Sequence, residues 1–316
     1  MTAKNDISEA PLGSLAEVIG QWSVVAQVTT ALAAAKVDNR RFDHGLLVGG
    51  PGLGKTSVAQ IVAREMGAPF HEVLGQSLAT NADLNALLLS AGDHAVVLID
   101  ECHEIPKPLQ TALLLALDQR RILLPGGKSA PRTIGLSDFT LLLATTDEYS
   151  LVQPLRDRMK LLLRFGYFSR NELIEVTRQR AEALGWPVTE VALPEIACRS
   201  RGTPRLALRL LQACRRVCRA EGENEITLSH MRRACQLEEL DGLGLGPNEQ
   251  TYLGILAGGP VRLNVVASRL GLPSRTVAEV IEPYLIRSGL VVKDDSGRRV
   301  LTDQGQEAVL NEKQPA

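Results

Sequence analysis

The sequence predicts an α/β protein: a parallel sheet built around a phosphate-binding loop, then a small all-helical domain, then a C-terminal winged helix. Three observations predict it. Gly49-Gly50-Pro51-Gly52-Leu53-Gly54-Lys55-Thr56 fits G-x-x-x-x-G-K-[ST] and stands between an apolar run, Leu46 to Val48, and a helical stretch, Val58 to Met66. Short β-rich runs alternate with helical segments from Leu15 to about Phe168, the pattern of a parallel sheet covered on both faces. Beyond Ser169 the β-runs stop, and they return only as a short strand-turn-strand near the C-terminus.

In chain order, the first domain (15–168) is expected to hold strands at Leu46 to Val48, Phe70 to Val73, Val96 to Ile99, Phe139 to Ala144 and Leu161 to Phe165. The second (169–240) is helical, with capping signals at Ser169-x-x-Glu172 and at Thr227. Asp241-Gly-Leu-Gly-Leu-Gly-Pro247 reads as a Gly-rich joint. After it (247–310) come three short helical patterns and two strands, Leu290 to Val292 and Arg299 to Thr302, around Asp294-Asp295-Ser296-Gly297, which together describe a winged helix. Asn311 to Ala316 reads as a frayed tail.

With 316 residues, 45% hydrophobic and 22% charged, the chain can bury a core in each of two or three domains. No apolar run approaches the roughly 18 residues of a membrane span: Val96 to Ile99 and Leu113 to Leu117 are each closed by an acid. Met1 to Ala10 is polar and lacks the apolar centre of a secretory signal, so a cytoplasmic location and no membrane partner are expected. Thirty-five basic against 36 acidic residues give a net charge of −1, so any contact with nucleic acid has to be local. The five cysteines lack C-x-x-C spacing; Cys214 and Cys218 fall on one face of a helix and read as buried small hydrophobes.

The glycines of the loop let successive backbone N–H groups turn inward as an anion nest at a helix N-terminus. Lys55 would reach the β- and γ-phosphates of a nucleoside triphosphate, Thr56 would offer its hydroxyl to Mg²⁺, and Ser57 follows in the same turn. Val96-Val97-Leu98-Ile99-Asp100-Glu101 ends an apolar strand with two acids, the second element such a site needs: Asp100 to hold Mg²⁺ through water, Glu101 to polarise the attacking water. Asp100-Glu101-Cys102-His103 also reads as a DExH box, but that machine needs a second RecA-like domain, and after Phe168 only helical and wing-like segments follow.

Thr145 and Thr146 end the Phe139 run, where either can sense the γ-phosphate or serve as an N-cap. Arg156 and Arg158 flank Asp157, as a surface ion pair or as a charge reaching a neighbouring subunit's nucleotide, a device worth roughly 10³ to 10⁵ in rate. In Arg201-Gly202-Thr203-Pro204-Arg205, Pro204 sits in the first turn of a helix and aims Arg205, whose guanidinium could fold back onto the phosphates.

Together these words, with Glu17-Val18-Ile19-Gly20-Gln21, Ala144-Thr145-Thr146, Gly258-Gly259-Pro260-Val261 and Glu282-Pro283-Tyr284-Leu285-Ile286, resemble the bacterial RuvB Holliday-junction branch-migration motors of the AAA+ class from about Leu15 to Thr302. The resemblance implies an AAA+ P-loop ATPase domain, a helical lid and a DNA-binding winged helix, assembled as a homo-hexameric ring on branched duplex DNA. ATP and Mg²⁺ would be bound, with Gly49 to Ser57 on the nucleotide and Ile19 flanking the adenine. It makes Arg158 the arginine finger, Thr146 the first sensor and Arg205 the second. Lys293, Arg298 and Arg299 of the wing become the DNA contacts, and Arg120 to Thr133, with Pro125-Gly126-Gly127, becomes either the hairpin that docks a RuvA-like junction-binding protein or a solvated turn.

The chain also departs from the family pattern. Val18 stands where an aromatic residue is usual, Met159-Lys160 replaces Phe-Gly after the finger, and the wing reads Asp294-Asp295-Ser296-Gly297-Arg298-Arg299 in place of a more basic Thr-Pro-Arg-Gly-Arg. Fewer phosphate contacts would lower affinity and flatten its salt dependence. Two functions are therefore expected: a motor for branch migration in recombination and repair, or a diverged ATPase that remodels a protein partner or another DNA structure. Intact Lys55, Asp100, Glu101 and Arg158 argue against a module that only binds nucleotide.

Overall fold

The apolar runs become one parallel sheet because their alternate residues enter two separate cores. In chain order the strands are β1 (Gly45–Val48), β2 (Phe70–Leu74), β3 (Val96–Asp100), β4 (Arg121–Leu124), β5 (Arg132–Gly135), β6 (Thr140–Thr145) and β7 (Leu161–Arg164). All but β4 and β5 join a five-stranded sheet ordered β2-β3-β6-β1-β7, with every neighbouring pair parallel. Val97, Ile99, Leu141 and Leu143 face α3 (Asn81–Ser90), α4 (Lys107–Gln119) and α5 (Gln153–Arg158). Their alternates Val96, Leu98, Leu142 and Ala144 face α1 (Trp22–Val37) and α2 (Lys55–Glu65). Both faces are covered, so the strands read as continuous apolar runs.

The computed structural model describes residues 6–124 and 132–312. They fall into two compact units, one of Ser8–Val176 with Thr203–Arg205, the other of residues 6–7, 177–202 and 206–312. In the first unit β1 pairs with β6 and β7, not with β2, so the chain leaves β1 at a point where the strand order reverses, the place where open α/β sheets form a crevice. Helix α4 stops at Arg120 (φ +48°), and β4 and β5 pair antiparallel from Arg121↔Gly135 to Leu124↔Arg132. The expected turn of this hairpin, Pro125-Gly126-Gly127, lies outside the described residues. A capping box opens α6 (Arg170–Leu184): Ser169 N–H donates to Glu172 Oε2 at 2.7 Å, and Glu172 N–H returns to Ser169 Oγ at 3.3 Å.

The second unit continues with α7 (Ala192–Cys198), α8 (Pro204–Ala220, of which Leu206 onward belongs here) and α9 (Leu228–Leu237). Leu210, Leu211, Cys214, Val217 and Cys218 form the buried stripe of α8, so the two cysteines serve as core residues. Thr227 caps α9 with His230 in the usual place of Glu: Thr227 N–H donates to His230 Nδ1 at 3.0 Å.

The winged helix follows as α10 (Pro247–Leu256), α11 (Leu263–Leu270), α12 (Ser274–Thr276), α13 (Glu282–Arg287), β8 (Val291–Lys293), β9 (Arg299–Leu301) and α14 (Asp303–Glu312). Between α12 and α13, Val277–Ile281 widens into a π turn. Pro283 explains it, since a proline has no N–H to give and its ring crowds the carbonyl four residues back. Helix α14 was not expected from sequence and runs into the segment read as a frayed tail; its Val309 joins Tyr252, Val266, Leu285 and Leu301 in the core.

Candidate nucleotide site and nucleic-acid interface

The loop after β1 needs its glycines. Gly52 (φ +77°) and Gly54 (φ +99°) occupy the left-handed region, and a Cβ on Gly52 would lie 2.6 Å from Arg205 Cβ. Leu53 is a core side chain, 1% exposed, so only its main chain is offered to a ligand, while Pro51 is exposed. Lys55 opens α2 and is 6% exposed, its Nζ donating to Gly49 O at 2.8 Å and Gly50 O at 3.0 Å. Burial pulls this ammonium below its ordinary range; Glu101 and Asp100 oppose the shift and Arg205 adds to it. A buried cation whose hydrogen bonds among the described residues go to main-chain carbonyls fits an anionic ligand.

Thr56 and Asp100, 44 residues apart, are brought together by the sheet: Thr56 Oγ1 lies 3.4 Å from Asp100 Oδ2. A hydroxyl beside a carboxylate is a hard-oxygen donor set suited to Mg²⁺. Asp100 Oδ1 also accepts the Glu101 N–H at 2.9 Å, and Glu101 itself is left-handed (φ +48°), a strained conformation that ends β3 abruptly. Glu101 Oε2 stands 3.3 Å from His103 Nδ1, which lies 3.1 Å from Thr145 Oγ1. Of the two threonines, Thr145 is fully buried and its hydroxyl accepts the Asp147 N–H at 2.9 Å, whereas Thr146 is exposed beyond the end of β6.

Arg205 is brought to the loop, its N–H donating to Gly52 O at 3.4 Å. Ile19 is half-buried in a segment fixed by Gln21, whose amide bonds to Gly166 O at 2.7 Å and Gly166 N–H at 3.0 Å. Arg158 pairs with Asp118 of α4, at 2.5 Å and 2.7 Å, and not with its neighbour Asp157, which accepts from Gln153; more than half of the Arg158 side chain stays exposed. Arg156 lies over the Tyr149 ring at 5.1 Å and donates to Gln153.

In the wing, the three basic residues expected on DNA are all paired. Arg299 is turned inward, 11% exposed, with Nε 2.5 Å and Nη2 3.1 Å from the carboxylate of Glu282, which is 2% exposed. Tyr252 OH donates to the same carboxylate at 2.8 Å, and Lys293 Nζ lies 3.2 Å from it with half of its side chain in solvent. Arg298 pairs with Asp294 at 2.9 Å. Asp294 is also the wing's turn-former, its Oδ1 accepting the N–H groups of Ser296 and Arg298 at 2.9 and 2.8 Å.

Family models match three consecutive regions: the Holliday junction DNA helicase RuvB P-loop domain over residues 12–165, the RuvB AAA lid domain over 168–241 and the RuvB C-terminal winged helix domain over 242–309. A Granulibacter bethesdensis protein, the Holliday junction branch migration complex subunit RuvB, is 38% identical over 304 residues, which is 93% of this chain and 85% of that one. This chain belongs to the RuvB family. The RuvB of Anaeromyxobacter sp. strain K is 37% identical over 292 residues, 90% of this chain and 85% of its own. A mutant of Thermotoga maritima RuvB superimposes with a TM-score of 0.84 at 33% identity, covering 96% of this chain and 100% of that one. The Thermotoga maritima RuvB Holliday junction branch migration motor gives 0.82 at 32%, covering 97% and 99%.

RuvB membership makes the chain an AAA+ ATP hydrolase with a helical lid and a winged helix. No described helix is long and apolar enough to cross a membrane. Sequence reasoning missed Asp118 and Glu282, which hold Arg158 and Arg299, and His103, which stands beside Glu101. His103 alone carried a signal, as the last letter of the DExH reading. Glu221, Glu223 and His230 also meet, the two carboxylates 3.2 and 3.4 Å from His230 Nε2. Because Nδ1 accepts from Thr227, a neutral imidazole carries its proton on Nε2 and presents no lone pair to a cation there.

Proposed function

We propose that this chain is an ATP-driven DNA motor of the RuvB type, moving the branch point of Holliday junctions by hydrolysing ATP between neighbouring copies in a homo-hexameric ring. One observation carries the reading: Lys55, the Thr56–Asp100 pair and Glu101 converge at the end of β1 and β3, on a chain that matches RuvB domains along most of its length. In this reading the N–H groups of Gly49 to Ser57 and the Lys55 ammonium bind the phosphates of ATP, and Ile19 lies against the base. A magnesium ion at Thr56 and Asp100 would neutralise charge developing on the β- and γ-phosphates. Glu101 polarises the attacking water, its buried Oε2 having no hydrogen-bond partner among the described residues and so open to one. Thr146 senses the γ-phosphate, and Arg205 registers the same event from the start of α8.

Arg158 would leave Asp118 to reach the nucleotide of the adjacent copy. Exposed Lys293 and Arg298 are the DNA contacts favoured here, with Arg299 shaping the wing from inside. The β4–β5 hairpin, within Arg120 to Thr133, is the surface proposed for a RuvA-like partner. ATP turnover measured with and without four-way junction DNA, across salt concentration, tests the motor. Junction-stimulated turnover that falls with salt is expected. Turnover indifferent to any DNA would overturn it in favour of a remodeller of protein partners.

A further inference from the structure

The Gly-rich segment 241–247, which the sequence presents as a joint, is docked. Gly244 (φ +74°) approaches the helical region so closely that a Cβ there would lie 2.2 Å from Arg199 O. Asp241 Oδ1 fixes the segment by accepting the N–H groups of Leu243 and Leu245 at 2.8 and 2.7 Å. Its carbonyl at Gly244 is then gripped by Arg201, whose Nε and Nη2 both donate to it, at 2.8 and 2.6 Å. The remaining arm of that guanidinium, Nη1, donates to Glu249 of α10 at 2.7 Å, and both side chains of this pair are mostly buried. Tyr284 of α13 completes the grip: its ring centre lies 5.0 Å from the Arg201 guanidinium carbon and 5.2 Å from that of Arg287, and Arg287 Nη2 donates to Arg201 O at 2.7 Å.

Arg201 reaches these partners from a left-handed backbone (φ +50°), followed by left-handed Gly202 (φ +76°). A non-glycine residue holds that conformation only where its surroundings over-determine it. Each of the three guanidinium nitrogens donates to Gly244 O or to Glu249, a planar geometry that an ammonium cannot copy. Only Gly202, Thr203 and Pro204 separate Arg201 from Arg205, the residue whose backbone meets the phosphate loop.

We infer that Arg201, with Tyr284 as its platform, is a positioning residue that clasps the helical lid to the winged helix, so that movement imposed on Arg205 by the nucleotide is delivered to the wing and not dissipated in the joint. The inference rests on the motor reading for its consequence, and on the described contacts for the clasp itself. The two can fail separately.

The test compares the full-length chain with Arg201→Ala, Arg201→Lys and Tyr284→Leu. Hydrogen exchange of residues 241–246 reads the clasp without any DNA. Leaving the Gly244 carbonyl without its fork is expected to speed exchange there about tenfold in Arg201→Ala, with Arg201→Lys restoring little of it. Unchanged exchange overturns the clasp, whether or not the wild type moves DNA. The second measurement is base pairs migrated per ATP hydrolysed on a junction. A structural defect lowers migration and hydrolysis together, because fewer molecules are active. Loss of the clasp lowers the ratio, by about tenfold, at near wild-type ATP affinity. An unchanged ratio in Arg201→Ala refutes the positioning role. A wild type that hydrolyses ATP but migrates no junction sinks the motor reading, and leaves the exchange result to decide the clasp.

Discussion

Replacing Arg299 by alanine separates two roles that a wing arginine can have. Glu282, 2% exposed, takes two hydrogen bonds from Arg299, one from Tyr252 and a looser contact from half-exposed Lys293. Removing one partner of a buried ion pair costs about 3–5 kcal/mol, and the surviving Tyr252 and Lys293 contacts place this site near the lower end, about 3. That loss raises the opened population of the domain roughly a hundredfold, so amide exchange across 247–309 should accelerate by about that factor. Arg298→Ala, which breaks a surface pair worth about 0–1 kcal/mol, is the control and should change exchange less than roughly fivefold. A DNA-contact role predicts the opposite pair of results: native exchange in Arg299→Ala, with the salt slope of DNA binding lowered by about 0.9. That outcome would refute the inward assignment. Acid should expose the same weakness. Burial pushes the Glu282 carboxyl up, but hydrogen bonds from Arg299 and Tyr252 outweigh it and hold the group below its ordinary 4.5. The stability this lends is complete above pH 4.5 and is lost as pH falls through the lower folded value.

Arg158→Ala should leave ATP binding intact and stop hydrolysis, and mixing it with Glu101→Gln should restore part of the activity if the guanidinium acts across subunits; no complementation would place the finger in its own subunit or at Arg156. Gly52→Ala forces a left-handed non-glycine residue, costing about 1–2 kcal/mol, and sets a Cβ 2.6 Å from that of Arg205, so ATP affinity measured by calorimetry should fall at least about tenfold. Undiminished affinity would show that the loop need not hold this shape. Burial, with the charge of Arg41 adding to it, pushes the His44 imidazole down to about 3, and its Nδ1 accepts the Leu141 N–H at 2.8 Å. The unfolded chain takes that proton near pH 6.5 and the folded one does not, so this contribution is whole above 6.5 and falls by roughly 1.4 kcal/mol per pH unit down to about 3. Urea midpoints at pH 7.5 and 5.0 should converge in His44→Asn, which keeps an acceptor; an equal drop in both proteins would exonerate the histidine.

The five sheet strands were legible because burial on both faces writes an uninterrupted apolar word, and the phosphate loop was legible because its glycines recur at a fixed local spacing, two of them at left-handed positions. Helix α14 was not: its apolar content is confined to Ala308, Val309 and Leu310, and Gly305 dilutes its helical signal. That glycine has a reason visible only in three dimensions, since a Cβ there would lie 2.1 Å from Leu290 O. The partners of Arg158 and Arg299 lie 40 and 17 residues away, beyond any local pattern, and so Arg299 read as a surface cation when it is an interior one. The same distance hid the docked state of the Gly-rich segment, whose composition alone spells freedom. Acidic Asp294, read as a loss of positive charge in the wing, turns out to build the turn that presents Arg298.

The Arg158–Asp118 pair has a consequence for assembly. A bare guanidinium on the rim would attract any passing anion and would favour stray encounters between copies. Here a solitary subunit carries that charge already quenched by a carboxylate of its own α4. If copies assemble into a ring as proposed, only a competitor of higher negative charge, such as a triphosphate in an adjacent cleft, would draw it away, and ring closure would then be selective for loaded neighbours.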